Sequence, residues 1–150
     1  MKTSNFLRPF LCILFAFVSL FNVWADNNKP ISFDQLPAKS QSFIKEYFSN
    51  DKVSLAVCEK EFLKVRYKVI LTSSAKVEFY KNGDWKEVTC KFCSVPEELI
   101  PSEILKKIKE LYTNVKITEI DKDNREYEVK LSNGVELTFN KEFILTDIDD

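Results

Sequence analysis

Hydrophobic positions along the chain follow two periods in turn, and the pair of periods occurs twice. Leu36, Phe43, Ile44, Tyr47 and Phe48 recur at helical spacing, while Lys39, Lys45 and Glu46 fall on the opposite side. Ser32 or Asp34 suits the cap of this helix, and Pro37 its first turn. The period then changes to two. Leu63, Val65, Tyr67, Val69 and Leu71 alternate with Lys64, Arg66, Lys68 and Ile70, which predicts a strand with one buried and one wet face. A second helical stripe follows at Ile104, Ile108, Leu111 and Tyr112, with Ser102-Glu103 or Pro96-Glu97-Glu98 at its start. Tyr127, Val129 and Leu131 then alternate with Glu126, Glu128 and Lys130. Thr72-Ser73-Ser74, Asn82-Gly83-Asp84 and Ser132-Asn133-Gly134 are placed to turn the chain between strands.

The two stretches also match in residue type. Leu36-Pro37 through Asn50 parallels Ile100-Pro101 through Asn114, and Tyr67 through Leu71 parallels Tyr127 through Leu131. Val77-Glu78-Phe79 parallels Leu137-Thr138-Phe139, and Val88 parallels Ile148. The expectation is an α+β fold made of a tandem repeat, at about residues 31–93 and 96–150, each a helix followed by about four antiparallel strands. One such unit alone leaves its sheet edges uncovered. Two side by side predict one curved antiparallel sheet, with both helices on one face and a polar, open face opposite. Together they make a single domain over residues 26–150.

The N-terminus reads as an export signal, residues 1–25. Lys2 and Arg8 supply positive charge, Phe10 to Phe21 is an apolar run, and Val23-Trp24-Ala25 places small residues before a cleavage point at Asp26. The run is short for a bilayer span, which needs about 20 residues, so the processed chain is expected in the periplasm with no membrane span. The chain has 22 basic and 23 acidic residues; without Lys2 and Arg8 the balance is 20 against 23. A small acidic excess argues against nucleic acid and against general adhesion to anionic membranes.

Candidate chemistry is sparse. There is no histidine, which removes the commonest general base and zinc ligand. No catalytic residues, metal or cofactor are expected. Export leaves Cys58, Cys90 and Cys93. Cys90-Lys91-Phe92-Cys93 permits a disulfide between Cys90 and Cys93, and an alternative reading makes the chain an envelope redox or metal-linked factor using those two thiols. Asp121 to Glu126 superficially suggests a calcium loop, but it lacks the glycine and the later Glu, so a charged hairpin tip is expected. The open sheet face is the stronger candidate. It should carry Lys64, Arg66, Lys68, Lys76, Tyr80 and Lys86 on a mostly basic first half, and Glu126, Glu128 and Glu136 on a mostly acidic second half. Such a two-signed surface suits a protein or peptide partner in the envelope.

The motifs Leu36-Pro37…Phe43-Ile44, Tyr67-x-Val69-x-Leu71, Val77-x-Phe79 and Asn82-Gly83-Asp84-Trp85-Lys86-Glu87-Val88 resemble the PepSY-like family. Ile100-Pro101…Ile108, Tyr127-x-Val129-x-Leu131-Ser132-Asn133-Gly134 and Leu137-x-Phe139 resemble it again. The resemblance implies a periplasmic protein of Bacteroides-type bacteria, similar in fold to beta-lactamase inhibitor protein, and it implies no catalytic residues. Two turns depart from the family's Asn-Gly: Ser73-Ser74 and Glu142-Phe143 stand there.

Overall fold

The structure, a computed structural model, describes residues 28–150. The expected signal peptide and its cleavage point lie outside the described residues. The elements are β1 (Asn28–Ile31), α1 (Ala38–Tyr47), β2 (Val53–Glu61), β3 (Lys64–Leu71), β4 (Lys76–Tyr80), β5 (Trp85–Thr89), α2 (Ser102–Leu111), β6 (Ile117–Lys122), β7 (Glu126–Leu131), β8 (Glu136–Asn140) and β9 (Leu145–Asp149). All nine strands form one open antiparallel sheet in chain order. A short 3-10 turn precedes each helix, at Phe33–Gln35 and Glu97–Leu99, and a proline, Pro37 or Pro101, stands just before the first helical residue. A proline there loses no helical hydrogen bond, since the first N–H groups of a helix have no internal partner.

Register explains the core. Directly paired residues share a sheet face, and one file of pairs crosses every strand: Ile31, Ala56, Val69, Val77, Val88, Ile120, Val129, Leu137 and Ile148. The six from Val69 to Leu137 have no solvent exposure. Burying such a side chain is worth about 1.5–3 kcal/mol relative to leaving it in water. Phe43 of α1 stands edge-on to Phe79 at 5.5 Å, and Ile104 and Ile108 of α2 enter the same core cluster as the file. Tyr67 pairs with Phe79 and Tyr127 with Phe139, so both tyrosines belong to this helix-covered face, as the alternation predicts.

Four of the hairpin turns share one geometry. In each, the N–H of the first residue donates to the carbonyl of the fifth, and the fourth residue has a left-handed backbone: Leu71–Ala75, Tyr80–Asp84, Leu131–Val135 and Asn140–Ile144. The fourth residues are Ser74 (φ 69°), Gly83 (86°), Gly134 (97°) and Phe143 (61°). The two departures from Asn-Gly therefore keep the turn and accept the backbone strain that glycine avoids. Register shifts also recur at equivalent places, between Val53 and Leu55 and between Ile117 and Glu119, then between Glu78 and Phe79 and between Thr138 and Phe139.

Four expectations need correction. The sheet has a ninth strand, β1, which pairs outside β2 and was hidden by its short length and by Pro30. Leu63 does not begin the buried alternation; with Phe62 it forms the β2–β3 tip, because β2 runs on to Glu61. Leu111 ends α2 half exposed rather than completing the stripe. Ser32 starts the 3-10 turn and not α1 itself, its backbone N–H donating to the Gln35 side chain at 3.0 Å.

Candidate functional site

The face away from the helices carries a second file of directly paired residues: Lys68, Glu78, Glu87, Asp121, Glu128, Thr138 and Asp147. Alongside it run Lys76, Thr89, Glu119, Lys130, Glu136 and Asp149. The structure thus places Lys68, Lys76, Glu128 and Glu136 on the open face as expected, and Lys86 reaches it through its pairing with Asp121. It does not show a basic first half. Lys68 lies 2.7 Å from Glu59 and 3.6 Å from Glu78, and Lys76 lies 3.4 Å from Glu78 and 2.7 Å from Glu87. Glu78 is itself buried beneath these lysine stems. The hydrogen bond to Glu59 holds the Lys68 pKa above its usual value. Burial works against ionisation of Glu87, but Lys76 and Thr89 outweigh it and keep that carboxyl below its usual range. Of four acids that the sequence reading did not assign to this face, Glu59, Glu87 and Asp121 neutralise the lysines and Glu119 adds to a surplus of negative charge.

That surplus settles on Glu119 and Glu128. Burial, then the Glu87 charge, raises the Glu119 pKa; burial, then Glu136 and Asp121, raises that of Glu128. The ammonium groups nearby are already committed, Lys86 to Asp121 and Lys130 to Glu136 at 3.0 Å. A carboxyl with a raised folded-state pKa binds its proton more tightly when folded. Its ionisation therefore weakens the fold as pH rises through the window from the ordinary carboxylate value to the raised one, and the cost stays in force above it. Glu119→Gln should accordingly raise the neutral-pH stability slightly, by at most about 0.5 kcal/mol for a partly exposed group. The gain should vanish below the ordinary carboxylate pKa. Thermal melts of both proteins across acid to neutral pH check this, and a gain that persists in acid would refute it.

A groove of about 1070 Å³ opens at the end of the sheet where β2–β3, β4–β5, β6–β7 and β8–β9 reverse. It gathers the expected Lys64, Arg66, Tyr80 and Lys86, and adds Lys81, Lys122, Arg125 and Lys141, which sequence reasoning missed. Their signal was available: alternate turns of an antiparallel meander fall at the same end, and Lys81, Arg125 and Lys141 all sit in such turns. The acids in the groove are already engaged. Asp84 pairs with Lys39, and the Asp123 carboxylate accepts the Arg125 and Glu126 backbone N–H groups at 2.6 and 3.0 Å. The segment Asp121–Glu126 is thus a charged tip closed on itself. Among the described residues no three Cys, Asp or Glu side chains gather closely enough to hold a metal ion. Lys122 lies 3.8 Å from the centre of the Trp85 ring, and burial pulls its pKa below the usual lysine value. Lys141 stacks likewise on Tyr127 at 4.5 Å, and the Tyr80 hydroxyl donates to the Lys122 carbonyl at 3.0 Å. Glu126, at the rim of β7, and Glu128 and Glu136, farther along their strands, do not line the groove.

Cys58, Cys90 and Cys93 are all free thiols, with Cys58 and Cys90 buried. Burial and the adjoining Cys93 push the Cys90 pKa up to about 12. A thiol so protonated is a poor nucleophile at neutral pH.

Comparison with known proteins places this geometry. The family model described as "Putative beta-lactamase-inhibitor-like, PepSY-like" matches residues 65–147. A solved structure described as a "putative calcium-regulated periplasmic protein" from Bacteroides thetaiotaomicron is 48% identical, with a TM-score of 0.82 over 84% of this chain and 99% of the other. A "putative periplasmic protein" from Bacteroides vulgatus is 43% identical, with a TM-score of 0.81 over 84% and 99%. Another from that organism, of unknown function, is 30% identical, with a TM-score of 0.78 over 82% and 99%. No curated protein matches the sequence. Among the described residues no helix is long and apolar enough to cross a membrane. From residues, fold and these likenesses together, the chain belongs to the PepSY-like family.

Proposed function

We propose that the chain is a non-enzymatic periplasmic binding module that uses the open face of its sheet to hold a protein or peptide. The periplasmic assignment follows the descriptions of its structural relatives and the signal-like N-terminus. The scaffold is a tandem repeat of one helix-and-strands unit, of the beta-lactamase-inhibitor-protein type. The recurring turns and register shifts support that reading. One observation carries the functional choice. Glu119, partly buried, and Glu128, exposed on the next strand, are carboxyls crowded by other acids, with the neighbouring lysines already paired. A cationic side chain laid across β6 and β7 would relieve that crowding, so the partner segment is basic and extended. The redox alternative is disfavoured by the protonated, buried Cys90.

Calorimetric titration with octalysine, and with octaglutamate as control, tests this. Wild type should bind octalysine in a salt-sensitive manner, and Glu119→Gln with Glu128→Gln should weaken binding about tenfold or more. Equal binding by wild type and the double variant would remove the open face from consideration.

A further inference from the structure

The end of the sheet where the four hairpins turn combines bare apolar side chains with concentrated positive charge. The β2–β3 hairpin has the longest strands in the sheet, of 9 and 8 residues, and its tip is Phe62-Leu63. Phe62 is 101% exposed and Leu63 86%, and Ile144 at the β8–β9 tip is also exposed. Two adjacent large hydrophobic residues with no covering are costly in water. The cations of the groove lie beside them, with the two groove acids neutralised by Lys39 and by a backbone turn.

We propose that this end docks on an anionic lipid surface. Phe62 and Leu63 enter the boundary between headgroups and acyl chains, while Lys64, Lys81, Arg125 and Lys141 meet lipid phosphates. The order of the groups favours a membrane over an acidic protein. Apolar residues lead at a hairpin tip and cations stand around the opening beside them, the sequence in which an interface presents hydrocarbon and phosphate. A protein partner would need a shaped pocket for the two side chains; a lipid phase needs none. The acidic balance of the whole chain does not oppose this. At the tips themselves Glu61 and Glu142 are outnumbered by Lys60, Lys64, Lys81, Arg125 and Lys141, much of the remaining surplus lies on the open face, and exposed charges act only over a Debye length of about 8–10 Å. The proposal is independent of peptide binding on that face, because its decisive residues lie in the turns.

The test is co-sedimentation of the exported chain, its N-terminus established by intact mass, with vesicles of phosphatidylcholine or of phosphatidylcholine with about one-third phosphatidylglycerol. Wild type should partition onto the anionic vesicles only, and added salt should release it. The Lys81→Glu, Arg125→Glu, Lys141→Glu triple variant should lose about 100-fold in partitioning, from about fivefold per cation. Phe62→Ser with Leu63→Ser should lose about tenfold while melting as wild type, since those side chains pack against nothing. Comparing variants in one background cancels any contribution from a retained N-terminal segment. Equal sedimentation with both vesicle types, or wild-type sedimentation by both variants, overturns the proposal. So does a groove-dependent affinity for octaglutamate without vesicle binding, which would identify an acidic protein instead.

Discussion

Phe79→Ala should destabilise the fold by about 3–5 kcal/mol, among the largest losses expected from a single truncation. The ring has no solvent exposure, stands edge-on to Phe43, and pairs across the sheet with Tyr67 on one side and Trp85 on the other. Neighbours held by strand pairing cannot close the space, so the loss includes a cavity as well as transfer. A domain of this size has roughly 5–15 kcal/mol to lose, which leaves the variant marginal at physiological temperature. Phe139→Ala should fall in the same range, because Phe139 is equally buried and pairs with Tyr127 and Leu145. Urea denaturation followed by circular dichroism measures both. A loss below about 1 kcal/mol would mean that the ring does not sit in a closed core.

Gly83→Ala should cost about 2–4 kcal/mol, combining left-handed backbone strain with overpacking. Gly83 has φ 86°, and an added Cβ would stand 2.9 Å from Pro37 Cβ and 3.0 Å from Lys39 Cβ at the start of α1. The buried Ser40 hydroxyl also donates to the Gly83 carbonyl at 3.2 Å, so displacing the turn breaks a tertiary hydrogen bond. Gly134→Ala is the control. Its φ is 97°, yet nothing lies within 4 Å of the added atom, and only the backbone term of about 1–2 kcal/mol remains. Melting the two variants side by side separates steric from conformational cost. Equal losses would show that the approach of α1 to the turn contributes nothing.

The alternation at Tyr67–Leu71 and Tyr127–Leu131 was readable because each strand has one wet face, and period-two patterning states that directly. The turns were readable wherever Asn-Gly stood. At Ser74 and Phe143 the turns were placed only by equivalence with the other repeat and by resemblance, since those residues adopt φ 69° and 61° under the pull of the flanking ladders rather than by preference. β1 escaped notice because its partner strand decides it: Asn28-Lys29-Pro30-Ile31 has little strand propensity of its own. The charge of the open face was misread for a related reason. Lys68 and Lys76 were visible on their strands, but the carboxylates that neutralise them come from β2, β4 and β5, and pairing across strands depends on register. The groove required one further step, from which residues turn to which turns share an end.

The join between β5 and β6 has only three residue pairs, Glu87 with Asp121, Val88 with Ile120 and Thr89 with Glu119. Its middle pair nonetheless carries the apolar file across the join with no exposure at either residue. If residues on either side of the join melted first, the survivors would be left with a raw strand edge and a bare valine or isoleucine. Neither part is therefore a stable stopping point. Unfolding should thus be all-or-none across the join, so that a protease should meet either the closed sheet or the open chain, with no half-folded substrate between.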